Sequence, residues 1–250
     1  MRKEQFLGSQ TAKNGFLNED DIVNKFNNWM ADEDTKKWLS IMQYELDKIE
    51  FVKAVKLSGH KTDVQVQVTI KLKDAIDAQN LQVKLVSNPK GFNQIDKRWV
   101  DKYVEMWEMP NQITELLKLY SGELKPNISS PKDKRRMFAD EFTIDDQNVM
   151  VDWLTNNKML IISDILKGRG QFAAEWMLVA QKTKENSRWV LKPMNFCLNY
   201  FGSGEVMITK LGNFKIGKIT MQRKGGDNGR KTANMLQFKI NPAELFEDSI

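Results

Sequence analysis

The 250 residues contain one cysteine, Cys197, and one histidine, His60. A lone thiol excludes an internal disulfide and a cysteine-rich zinc site, and a lone imidazole excludes a two-histidine one. A Ser/His/Asp triad would have to use His60, yet no G-x-S-x-G elbow supplies its serine. Walker A and G-x-G-x-x-G loops are also missing, and the glycines at 168–170 and 202–204 are isolated turn signals. No apolar run approaches the length needed to cross a bilayer, and the start, MRKEQFLGSQ, lacks the apolar core of a signal peptide. The expectation is a soluble protein of the reducing cytoplasm with no membrane partner. Any catalysis must rest on carboxylates, amides and lysines.

Acidic residues are scarce in one place. From Lys210 to Lys239 there are eight basic residues and one acid, Asp227, so this segment is +7 while the whole chain is +5. Concentrated positive charge attracts a polyanion and steers its approach, although a solvated basic face has the same composition.

Pattern divides the rest. Residues 18–30 read as a helix capped by Asn18, with Glu19, Asp20 and Asp21 at its positive end and Ile22, Val23, Phe26, Trp29 and Met30 at helical spacing. A second helix is expected over 34–50. Segments 52–58, 63–72 and 81–87 alternate with period 2 and predict strands, the last two an antiparallel hairpin. Residues 94–120 return to helical spacing, with a break or fresh start at Pro110. The proline-bearing stretch 121–136 reads as a loop, and as the one place for a subdomain boundary in an otherwise single domain. A helix is expected over 143–157. The apolar runs 159–166 and 173–182 suit buried strands, RWVLKPM follows, and 201–240 is β-rich with glycine turns. This order predicts an α/β fold: a mixed central sheet flanked by helices.

In NLQVKLV, residues 80–86, Gln82 and Lys84 share one strand face, opposite Leu81, Val83 and Leu85. A lysine is costly to pack, so the expectation is that this face is open and meets a cation and a phosphate. Asp63 opens the preceding strand and joins them if the register allows. A carboxylate and an amide oxygen are the hard donors that Mg²⁺ prefers. Such an ion activates a bound water and offsets charge on phosphate, and a lysine beside it does part of the same. Taken bare, the triple also suits an exposed strand face with polar residues.

SGHKTDVQVQV, NLQVKLVSNPKGFNQIDKRWV and QRKGGDNGRKTANMLQFKI resemble segments of type II restriction endonucleases of the PD-(D/E)xK superfamily. They are most similar to the enzymes that cut GCGC, with the CCGG cutters further off. KDKRRMF (132–138) and ILKGRGQFAAEWMLVAQK (165–182) extend the resemblance, which runs from about Gly8 to Leu245. It implies a restriction-endonuclease-like core and Mg²⁺-dependent cleavage of double-stranded DNA. Asp63 becomes the metal-binding aspartate, Gln82 the second ligand and Lys84 the catalytic lysine. The superfamily usually has a carboxylate at Gln82, but the GCGC-cutting group shares the glutamine. The backbone carbonyl of Val83 is implied as a further ligand. Glu19 is implied as a helix-borne ligand, beside its simpler role at a helix N-terminus.

For the DNA, the resemblance makes MQRKGGDNGRK a base-reading loop, with Gln222, Arg223 and Lys224 on base edges and Asp227 and Arg230 nearby. Arginine and lysine donors suit guanine O6 and N7. Gln94, helped by Asn93, is implied to probe the base stack, with Phe92 anchoring its loop. Lys97, Lys132, Lys134, Arg135 and Arg136 are expected on phosphates, and Lys239 on the DNA backbone. No protein partner is needed for catalysis, and a homodimer stands beside a monomer that nicks twice. Two rivals remain open: a structure-specific repair nuclease, and a noncatalytic DNA-binding protein on a nuclease fold.

Overall fold

In the computed structural model, residues 3–57, 66–87, 91–182, 187–226 and 229–247 are described, with side chains from Lys13 onward. The alternation of valines does what it predicts. Strand β1 (Ile49–Lys56) pairs antiparallel with β2 (Val66–Leu72), and β2 with β3 (Ile76–Val86) in the register Val66↔Leu81. Val66, Val68 and Ile70 are fully buried while Gln67 and Thr69 are only partly so. Strand β4 (Asn93–Arg98) comes next in the chain. Helices α1 (Lys3–Asn27) and α2 (Glu33–Ile41) precede the strands. Ile22, Phe26 and Trp29 of α1 join Val66, Val68, Leu81 and Val83 in one core cluster.

The chain divides into two compact units, interleaved along the sequence. The first takes residues 1–93, 167–197 and 241–250, the second 94–166 and 198–240. The loop 121–136 lies inside the second unit. In the first unit, β5 (Trp176–Lys182) pairs parallel with β3, and β6 (Ser187–Pro193) antiparallel with β5. This completes a mixed sheet of order β1-β2-β3-β5-β6. The parallel β3–β5 step needs a long connection, and residues between them build much of the second unit.

That unit holds α3 (Val100–Trp107), α4 (Asn111–Ser121), α5 (Ile144–Asn156) and α6 (Lys158–Leu166). Helix α7 (Met194–Gly202) begins in the first unit and ends in the second. Strands β7 (Val206–Ile208), β8 (Phe214–Ile216), β9 (Ile219–Arg223) and β10 (Leu236–Ile240) form the sheet β4-β10-β9-β8-β7. Its core is aromatic. Tyr103 stacks on Trp107 at 4.6 Å, and Phe238 meets both edge-on. The Trp107 indole N–H donates to the buried Asp164 carboxylate at 2.9 Å.

Four expectations are corrected, and one helix is added. Helix α1 starts at Lys3, so Asn18 is not a cap but a buried residue one turn before Ile22. Helix α2 stops at Ile41, not 50, because Gln43 takes a left-handed φ of 69°. Residues 94–98 are strand β4, held by pairing in the second sheet rather than by local preference. The run 159–166 is helical: Ile161, Ile162, Ile165 and Leu166 are fully buried while Met159 and Leu160 are exposed, a 3.6-residue pattern hidden in a uniformly apolar stretch. Helix α7 was not expected at all. Among the described residues no helix is long and apolar enough to cross a membrane.

Candidate active site and nucleic-acid interface

Strand β3 lies at the middle of the first sheet, between β2 and β5. Period 2 sets Gln82 and Lys84 on one face, opposite Met177 and Val179 of β5. Val83 points the other way into the core cluster. Both polar residues are buried, Gln82 at 1% and Lys84 at 8% exposure. This overturns the expectation of an open face: burial runs unbroken from Asn80 to Lys84, so both faces of the strand are covered there. Gln82 Oε1 has no hydrogen-bond partner. An amide oxygen in that state costs about 1–3 kcal/mol.

Glu19 of α1 lies within electrostatic reach of Lys84 and Lys56. Sixteen residues into its helix (19 − 3), it cannot serve the helix N-terminus. Burial raises its pKa, and the two lysines offset only part of that. The sign follows: Glu19 favours the fold when protonated, and this contribution is lost as pH rises through its folded pKa. For the same reason a cation bound there competes with a proton at a higher pH than at an ordinary glutamate. Lys56 also pairs with Asp20 at 2.6 Å.

Sequence reasoning missed Lys56 and Asn18. Asn18 is 2% exposed, with both amide atoms unpartnered. Its i, i+4, i+8 spacing to Ile22 and Phe26 placed it on the buried stripe, a signal hidden by its resemblance to a cap. Asp63 lies outside the described residues, as does Asp227. Among the described residues no three His, Cys, Asp or Glu side chains group to hold a metal ion. Gln82 Oε1, orphaned and buried, is the kind of hard oxygen donor that Mg²⁺ accepts, and Glu19 is a carboxylate within electrostatic reach of Lys84.

A family model, the R.HinP1I restriction endonuclease, matches residues 42–246. The chain belongs to the R.HinP1I restriction endonuclease family. A solved structure adds the fold. The crystal structure of restriction endonuclease MspI in complex with its cognate DNA is similar at a TM-score of 0.66 and 14% identity, covering 96% of this chain and 93% of that one. Comparison with curated proteins gives no match. The mixed α/β architecture is thus that of a restriction endonuclease.

In this R.HinP1I-family chain the second unit carries the other expected residues. Gln222 and Arg223 end β9, and Lys224 follows, all half-buried; Arg230 is exposed. Arg223 is already engaged. Its Nε donates to the Ser121 carbonyl at 2.9 Å and its Nη2 to Asn234 Oδ1 at 2.7 Å, while Asn234 Nδ2 donates to the Gly122 carbonyl at 2.7 Å. Burial, then Arg135 and Arg136, lower its pKa, so three guanidinium groups gather there. Arg223→Ala leaves two acceptors without their donor. We expect a loss of about 1–3 kcal/mol in stability, read from the denaturant midpoint. An unchanged midpoint would make the strut dispensable.

Lys97 and Lys134 are exposed. Arg135 forks onto Asp133 with both contacts at 2.8 Å, and holds that carboxyl down at about 2. Lys132 pairs with Asp140 at 2.6 Å, and Arg136 lies 3.8 Å over the Phe138 ring. Surface pairs of this kind are weak enough to yield to a phosphate. Asn93 Nδ2 donates to the Gly91 carbonyl, and Phe92, expected as a loop anchor, is instead 58% exposed. Gln94 is exposed at the start of β4, and its Oε1 accepts from Gln237 Nε2 at 2.7 Å. Burial lowers the pKa of Lys239.

Proposed function

We propose that this protein is a sequence-specific, Mg²⁺-dependent endonuclease that hydrolyses double-stranded DNA at GCGC. The observation that carries the proposal is the buried, unpartnered Gln82 oxygen two residues before a buried lysine that lies within electrostatic reach of a helix-borne glutamate. Such an arrangement is costly for a fold and is suited to a hydrated cation beside a phosphate. Asp63, Gln82, the Val83 carbonyl and Glu19 would hold Mg²⁺. When bound, the ion lowers the pKa of a water and offsets charge on the phosphate.

The chain's own groups do the rest. Lys84 donates to the attacking water and to the scissile phosphate, and its ammonium offsets charge that builds in the transition state. Lys56 and Lys84 favour the ionised form of Glu19, the form a cation needs. Gln222, Arg223 and Lys224 act at base edges, with Arg223 also bracing the loop, and Asp227 accepts from cytosine or orients Arg230 beside them. Gln94 and Asn93 meet the base stack, and Lys97, Lys134 and Arg135 bind phosphates. The GCGC site rests on the resemblance in sequence.

The test is plasmid DNA incubated with the protein and Mg²⁺, followed by sequencing of the ends. Discrete fragments ending at GCGC are expected. Fragments ending at another fixed sequence would overturn the site, and nicks that follow DNA structure would favour a repair nuclease. Retarded but intact DNA would leave a binding protein.

A further inference from the structure

Strand β10 has two unlike faces. Leu236, Phe238 and Ile240 are fully buried on one side, so period 2 puts Gln237 and Lys239 on the other. The register sets Gln237 opposite Gln222 and Lys239 opposite Thr220, and Thr220 opposite Lys215 on β8. These positions supply amides, lysines and a threonine, with no carboxylate. Gln237 is 6% exposed, its Oε1 has no partner, and its Nε2 donates to Gln94 Oε1. A leucine would fill such a site without an unsatisfied oxygen.

The direction of that bond matters. With its oxygen turned to Gln237 as an acceptor, the planar amide of the exposed Gln94 has its opposite side, Nε2 with two N–H donors, to offer a partner. We infer that Gln237 is a positioning residue that fixes the polarity of the Gln94 amide, so that Gln94 addresses hydrogen-bond acceptors on a DNA base edge. The inference rests on the proposed reading that Gln94 meets the base stack. Gln237 itself touches no DNA in this scheme. It decides which end of Gln94 does.

Gln237→Glu tests it. An ionised carboxylate cannot donate, so at a pH above the pKa that burial raises, Gln94 must turn its NH₂ toward residue 237 and present its oxygen to DNA. The readout is kcat/KM on a GCGC duplex relative to duplexes with one base pair changed. We expect that ratio to fall about tenfold, the factor that 1.4 kcal/mol gives. Adding Gln94→Ala should lower the ratio no further, since both changes remove one interaction. Should Gln237→Glu fail to fold, Gln237→Leu carries the test, with a loss in the same direction expected from an unheld amide. A folded variant with unchanged discrimination, or fully additive effects of the two changes, overturns the inference alone. A wild-type protein that cuts at no fixed sequence overturns both the inference and the reading beneath it.

Discussion

Lys84→Ala removes cleavage by a factor of roughly 10³ and leaves DNA binding in place. Removing one preorganised electrostatic donor from a water-poor site costs about 10²–10³ in rate. Lys84 sits at the top of that range for a second reason: it is one of the two lysines that favour the ionised form of Glu19, against a burial that pushes its pKa up. Without Lys84 the glutamate protonates at a higher pH, and the Mg²⁺ needed for any residual cutting rises more steeply as pH falls. Binding is expected to survive because the residues proposed at base edges, Gln222, Arg223 and Lys224, lie in the second unit. Lys84→Arg should not rescue the rate, since a planar fork cannot replace a compact ammonium at 8% exposure. Asp63→Ala is expected to behave like Lys84→Ala. Single-turnover cleavage and a gel-shift titration check both changes; full cleavage by either variant would defeat the assignment.

The hairpin that positions Lys84 was legible because β2 has one face in the core, and Val66, Val68 and Ile70 mark it with period 2. Alternation could not say what covers the other face. In β3 it places Gln82 with Lys84 correctly and still misleads about exposure, because a central strand is covered on both faces. Helix α1 itself was cut short. The residues before Asn18 are weakly amphipathic, and N-E-D-D is the composition of a helix start, so a buried amide has the sequence context of a cap.

Other features depend on partners far away in sequence. The Arg223 strut joins residues 102 positions apart, and the Gln94–Gln237 bond spans 143. Strand β4 exists because the second sheet continues onto it, although its own residues merge with a helical pattern. In α6 the helical period was present in the burial but invisible in letters, since exposed Met159 and Leu160 are as apolar as buried Ile161 and Ile162. Residue types at the candidate site could be named from the chain. Their burial, and hence the cost that makes them informative, could not.

That cost gives the second large effect, and its two halves have opposite signs. Gln82→Leu is expected to lower cleavage by roughly 10²–10³, the price of one lost electrostatic or ligand group. It should also leave stability unchanged or raise it by about 1 kcal/mol, because it removes a buried oxygen that nothing satisfies. A residue kept for folding behaves the other way: its loss lowers stability first and activity as a consequence. Gln82→Glu separates the metal from mere polarity. It adds a charge where the Gln82 amide is neutral, beside Lys84, so half-maximal cleavage should need less Mg²⁺. The same carboxylate, desolvated without metal, should lower the stability of the metal-free protein, and Mg²⁺ should restore it. Melting curves with and without Mg²⁺, paired with cleavage rates, read all three quantities. Gln82→Leu that melts early, or Gln82→Glu that ignores Mg²⁺ in both assays, would place the ion elsewhere.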